Sequence, residues 1–221
     1  MARSFKAVLF DVDGTLVDSN DAHADAWVKA FNKHGINVDW TKVRRCIGMG
    51  GDKLMPEVSG LEEESSKGAK IADDRGAIFK RDFLPTIKPL RDSKKLVAAI
   101  KDLGYTAVAA SSAKKDELTP LLTIAGAEWL MDAATSSDDA EESKPEPDIV
   151  LAALKRAKAN AADAVMIGDT PYDVEAATRA GVKIIGFRSG GWGDGDLKGA
   201  IAIYDGPWDL LEKIDDSPLR G

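Results

Sequence analysis

Short apolar runs of strand length, each followed by a helical pattern, constrain this chain more than any other feature. Residues 5–10 form a nearly continuous apolar run that stops at Asp11, and later runs occupy 106–110, 164–168 and 182–187. Weaker candidates lie at 129–134 and 200–204. Helical periodicity falls between them, at 92–103, 114–125, 147–159 and 171–180. Runs this short and apolar suit strands buried on both faces. Alternated with helices through short links, they build a parallel sheet covered on both sides. The expected fold class is α/β.

One stretch breaks the alternation. Residues 18–89 carry helix-like segments punctuated near Gly35, Gly48 to Gly51, Pro56 and Gly60, with no convincing strand. An insert of this size, between the first strand and the rest of the sheet, reads as a small helical cap domain. The expected division is a catalytic core of 1–17 and 90–221 and a cap of 18–89, tethered at 16–20 and 85–91. The acidic segment 136–143 reads as a solvated loop.

Charge narrows the partners. With 37 acidic against 30 basic residues, a net charge of −7, the chain lacks the basic excess that nucleic acid requires. A small phosphate ester stays compatible, because a bound metal ion inverts the field of an acidic site. The single cysteine, Cys46, rules out an internal disulfide, and no apolar run reaches the length of a signal sequence or membrane span. A soluble, cytoplasmic protein is expected, with its oligomeric state unread.

The chemistry sits at the predicted strand ends. Asp11-Val-Asp13-Gly14-Thr15 places two carboxylates two residues apart where the first strand stops, and ligands of parallel α/β sheets bind beyond the carboxyl ends of strands. Two carboxylates ~4 Å apart repel by roughly 4 kcal/mol at an effective dielectric of ~20, a penalty that a divalent cation removes. A turn at Asp13-Gly14 with Asp11 as a helix cap is the plainer reading. Gly168-Asp169-Thr-Pro171-Tyr-Asp173 weighs against it by repeating the pattern: an apolar strand, an acid at its tip, a helix start at the proline, and a second acid one turn on. Ser111 and Ser112 end the 106–110 run, where a hydroxyl serves either a phosphate oxygen or a helix cap. Lys144 precedes Pro145, which disfavours helical geometry before it; the lysine either offsets charge at a site or stands in a solvated loop.

Taken in order, Asp-x-Asp-Gly-Thr, a serine at a strand end, a lysine before proline and Gly-Asp-x-x-x-Asp resemble the haloacid dehalogenase-like (HAD) hydrolase superfamily over nearly the whole chain. The insert after the first motif is similar to that family's C1-type cap. The resemblance implies a Rossmann-like sheet of order 3-2-1-4-5 and a magnesium-dependent phosphatase of small phosphorylated metabolites, of the phosphoglycolate or sugar phosphate type. It implies that Asp11 attacks phosphorus to form an aspartyl-phosphate and that Asp13 acts as acid and base. Ser111 and Lys144 would hold the phosphoryl group. Mg2+ would bind Asp11, the backbone carbonyl of Asp13 and Asp169, with Asp173 as a ligand or behind one. Substrate-binding candidates are Gly14, Thr15, Ser112, His23, Arg45 and Lys53.

Within the family, dehalogenases generally lack the second aspartate of the first motif, so Asp13 favours phosphoryl transfer. The His23 to Trp27 spacing is similar to the cap entrance of β-phosphoglucomutase, but the 47–53 turn lacks the arginine expected there in that mutase. His23 exposed on a helix with Trp27 in the cap core is an equal reading, and Arg44, Arg45 and Lys53 suit a solvated helix face as well as an anion site. The alternatives are a sugar phosphate mutase and, in another class, a phospho-acceptor or inactive binding protein. The loop 189–195 reads as a mobile rim or as an ordinary loop around Trp192.

Overall fold

The computed structural model describes residues 5–220. The chain enters through β1 (Ala7–Phe10), turns, and adds the two-residue β2 (Val17–Asp18). Four helices follow: α1 (Asn20–Lys33), α2 (Trp40–Cys46), α3 (Gly51–Ser59) and α4 (Ser66–Ile78). The chain returns by β3 (Lys88–Pro89), antiparallel to β2, so the entry and exit of the helical insert lie side by side. The remainder alternates as far as β7, after which β8 follows without an intervening α-helix: α5 (Ser93–Asp102), β4 (Thr106–Ala110), α6 (Lys115–Ala125), β5 (Ala133–Thr135), α7 (Asp148–Ala157), β6 (Ala164–Gly168), α8 (Pro171–Arg179), β7 (Lys183–Phe187), β8 (Ala202–Tyr204) and α9 (Pro207–Glu212).

The sheet runs β5-β4-β1-β6-β7-β8 with every neighbouring pair parallel. Numbered by chain order within the sheet, that is 3-2-1-4-5-6: the expected order plus an edge strand at 202–204. Because β1 is central, all four of its residues are buried, and its pleat divides them between two cores. Val8 and Phe10 join the face holding Leu96 of α5 and Leu121 of α6, whereas Ala7 and Leu9 join Ile149 of α7 and Ala177 of α8. Burial of a side chain such as Phe10 contributes about 1.5–3 kcal/mol.

Local chemistry sets the helix ends. Asp39 and Ser65 accept from the backbone N–H of Lys42 and Gly68 to start α2 and α4, and Gly60 and Gly126 close α3 and α6 in the left-handed region. Pro56 lies inside α3 rather than ending it. Polar contacts draw the insert onto the sheet's carboxyl edge: the Gly50 N–H donates to Ser143 Oγ (3.0 Å) and Tyr172 Oη to the Arg45 carbonyl (2.7 Å). Among the described residues, no helix is long and apolar enough to cross a membrane.

Candidate active site

Register brings the acids together. Phe10 pairs with Ile167 on one side and Ala109 on the other, so the residues after β1, β6 and β4 emerge in a row: Asp169 and Ser111 flank Asp11. Asp11, Asp169 and Asp173 present carboxylate oxygens within 4.8 Å of one another, all three buried. Lys144, carried on the loop before α7, is only 1% exposed, which removes the solvated-loop reading. Its Nζ lies 2.5 Å from Asp11 Oδ1 and 2.8 Å from Asp173 Oδ1.

The Asp173 carboxylate does two things. Oδ2 accepts from the Thr170 N–H (3.0 Å) and hydroxyl (2.7 Å), closing a capping box at the start of α8, with Pro171 at its first position. Oδ1 then faces Lys144 and the other acids. The N-cap is Thr170, so Asp169 is not spent on capping. Asp169 Oδ1 accepts from Thr15 Oγ1 (2.9 Å) and Oδ2 from Asn20 Nδ2 (2.9 Å). Gly14 turns the chain past it at φ 72°, in the left-handed region, where a Cβ would meet Asp169 Oδ2 at 2.2 Å.

Asp13 faces another way. Its Oδ1 accepts from Ser19 Oγ and lies 2.8 Å from Nε2 of His23, which is buried and stacked on Phe79 at 4.0 Å between ring centroids. Asp11 and Asp13 thus line one small recess of about 60 Å³ with His23, Gly50, Arg75 and Ser112. Ser112 Oγ is buried there with no hydrogen-bond partner among the described residues, while Ser111 Oγ accepts from the Ala113 N–H (3.0 Å). Arg45 and Lys53 line neither this recess nor the larger cavity beside it: Arg45 stacks over Trp192 at 4.4 Å and Lys53 pairs with Glu142 at 2.5 Å.

Electrostatics separate the two acids of the first motif. Burial pushes Asp11 up to about 7; Lys144 pulls it down, and Asp173 and Asp13 push it up again. Asp169 is raised well above its ordinary value by burial and then by Asp11 and Asp173. Burial also raises Asp13, but His23, Ser19 and Arg75 together outweigh it and leave its carboxyl below the usual range. Burial disfavours the Lys144 ammonium, yet Asp11 and Asp173 hold its pKa above the ordinary value. Three buried carboxylates against one ammonium leave the cluster short of positive charge. All-oxygen donors suit a hard divalent cation. The residues fit such an ion.

Three contributors escaped sequence reasoning: Asn20, Arg75 and Gly190. Asn20 ends the tether 16–20 and begins α1, directly after its N-cap Ser19. Arg75 lies in the last turn of α4, where a cation suits the helix end, and lines the recess while making two 2.7 Å bonds to Glu117. Gly190 abuts Asp169 so closely that a Cβ would sit 1.9 Å from Oδ2 and 2.8 Å from the carbonyl oxygen. Gly190→Ala is therefore expected to displace Asp169 and weaken divalent-cation binding about 10–100-fold. Gly195→Ala, whose Cβ meets nothing within 4 Å, should leave it unchanged. Mn2+ titration followed by electron paramagnetic resonance measures both.

Comparison with known proteins supplies relatives for the chain. The chain is 30% identical over 189 residues to the probable phosphatase IndB of Dickeya dadantii, covering 84% of this chain and 81% of that one. It is 28% identical over 183 residues to the phosphoglycolate phosphatase of Aquifex aeolicus, covering 80% and 82%. The crystal structure of a hydrolase from Pseudomonas syringae superposes with a TM-score of 0.89 at 28% identity, covering 96% of this chain and 98% of that one. The family model for haloacid dehalogenase-like hydrolases matches residues 8–187, a span that begins in the strand leading to Asp11 and ends with the strand beyond Asp169. By that match, the chain belongs to the haloacid dehalogenase-like hydrolases.

Proposed function

We propose that this protein is a Mg2+-dependent phosphatase of small phosphorylated metabolites, acting in the cytoplasm through an aspartyl-phosphate on Asp11. The observation that carries the reading is the pairing of Asp11 and Asp13 in one recess with opposite surroundings. Asp11 lies against Lys144 and the carboxylate cluster, and Asp13 lies against His23 and Ser19. The first arrangement suits a nucleophile, the second a group that moves protons.

A carboxylate oxygen of Asp11 attacks phosphorus; the new O–P bond forms as the bond to the leaving oxygen breaks, and Asp13 delivers a proton to that oxygen. Water then attacks the same phosphorus, Asp13 takes its proton, and the Asp11–phosphorus bond breaks to release phosphate. His23 Nε2 and Ser19 Oγ hold the Asp13 carboxyl in place. Asp11, Asp169 and Asp173, with the Asp13 backbone carbonyl, would hold Mg2+. The bound ion would offset the charge of the carboxylates and the phosphoryl group. Lys144 steadies charge on the phosphoryl oxygens, and Ser112 Oγ offers it an uncommitted hydroxyl, with Ser111 behind. The helical insert acts as a cap that excludes water over the recess. Relatives named as phosphatases support hydrolysis over the mutase alternative, as does the lack of an arginine in the 47–53 turn.

Phosphate release from p-nitrophenyl phosphate and a panel of phosphometabolites tests this. Release should require Mg2+, vanish in excess chelator, and fall by about 10²–10⁴ in Asp13→Asn. Metal-independent release, or an Asp13→Asn enzyme at wild-type rate, would sink the reading.

A further inference from the structure

The recess opens into a larger cavity of about 330 Å³, at the small end of small-molecule sites, and the two share Trp27, Gly50, Gly51, Arg75 and Ser112. An ester with its phosphorus at Asp11 must lay its leaving group here. The charges of the wall are therefore a statement about that group.

Three of the cavity's acids have cationic partners. Glu117 holds Arg75, Asp116 holds Lys80 (2.5 Å) and Glu142 holds Lys53 (2.5 Å). Asp52, Glu63, Asp73 and Glu141 also line the space, and none has an ion pair among the described residues. Asp52 is held by Ser143, whose hydroxyl donates to Oδ1 (2.5 Å) and whose N–H donates to Oδ2 (3.3 Å). Lys114 is the lining cation left to face all four. Asp73 and Glu141 are exposed and well screened, but Asp52 and Glu63 are only partly accessible. Burial and then the repulsion of Asp52 raise Glu63, with Lys114 pulling it down between them. A site shaped for a second phosphate or a carboxylate needs the reverse balance, since like charges facing each other at close range oppose binding. A neutral polyol would leave the excess unanswered.

We infer that the leaving group carries a protonated amine: the substrate class is the monophosphate ester of an amino alcohol or amino sugar of hexose size or smaller, with Glu63 facing its ammonium and Asp52, held by Ser143, adding its charge behind. This rests on the phosphatase reading, because it assigns the cavity to the leaving group of a reaction at Asp11.

Three esters of similar size and different charge separate the possibilities: glucosamine 6-phosphate, glucose 6-phosphate and 6-phosphogluconate, with p-nitrophenyl phosphate as the reporter of hydrolysis itself. The amino ester should exceed the hydroxy ester in kcat/KM by about tenfold, the carboxylate should fall below it by about as much, and salt should compress the spread. Glu63→Gln should lower the amino-to-hydroxy ratio severalfold, and Glu63→Lys should move the preference toward the carboxylate. Hydrolysis of p-nitrophenyl phosphate with the carboxylate equal to or above the amino ester overturns the inference alone, and so does a Glu63→Gln enzyme that keeps the wild-type ratio. Failure to cleave any of the four overturns the phosphatase reading and takes this inference with it.

Discussion

Asp11→Asn should reduce phosphate release by on the order of 10⁶-fold, the scale lost when a covalent nucleophile is removed. An amide has nearly the shape of the carboxylate, so Lys144, Thr15 and Asp173 keep their places around it. What disappears is the anionic oxygen that would bond phosphorus. The variant separates two roles that the geometry places on one residue. Asp169 and Asp173 remain to hold a cation, so Mn2+ binding should weaken without vanishing while turnover is lost. Mass spectrometry of rapidly quenched enzyme supplies the direct measurement: a mass gain of one phosphoryl group on the peptide containing Asp11 in the parent, absent in the variant. Wild-type turnover in Asp11→Asn would remove the nucleophile assignment. A phosphorylated residue elsewhere would move it.

The parts of this molecule that were readable from sequence are those whose physics is local. Beyond Thr106, the runs 106–110 and 164–168 are apolar because β4 and β6 lie inside the sheet, and they match the observed strands. At the sheet edge the signal fades. Only the Ala-Ala-Thr of β5 pairs, and Trp129, at the start of the weaker candidate run, stands 91% exposed in a short turn before it. Asp11 and Asp169 could be read because a charge at the tip of a buried strand needs a reason. Asn20 could not, since its partner Asp169 lies 149 residues away. His23 and Lys144 each carried two readings, and taken alone Lys144 read more readily as a solvated loop residue. The structure buries both, one against Phe79 and Asp13, the other between Asp11 and Asp173. The wall of the larger cavity was illegible for the same reason: Asp52 and Glu63 come from the insert and Lys114 from the loop before α6, joined only by the fold.

Lys144→Met should produce the second large effect, first on stability and then on rate. Among the described residues, Lys144 is the one ammonium within ion-pair distance of Asp11 and Asp173, and both acids are buried. Replacing it with an apolar chain leaves those carboxylates unpartnered, at a cost of about 3–5 kcal/mol. The penalty has a pH signature. Asp11 in the folded protein titrates at about 7 against an ordinary value of 3.8, so the folded state holds its proton more tightly than the unfolded chain. Stability contributed by that proton is complete below the ordinary value and is lost as pH rises through the folded one. Without Lys144 to oppose it, Asp11 moves further up, so the variant's deficit should be small near pH 4 and largest above pH 7. Urea unfolding in chelator across that range measures it. Mg2+, binding only the folded state, should restore stability by mass action. Turnover should stay about 10²–10³-fold low even with the metal saturating, because the cation does not replace the ammonium beside the phosphoryl oxygens. Equal urea midpoints for variant and parent at pH 8 in chelator would show that the carboxylates never depended on Lys144. Full recovery of rate by Mg2+ would show that the lysine serves the metal site alone.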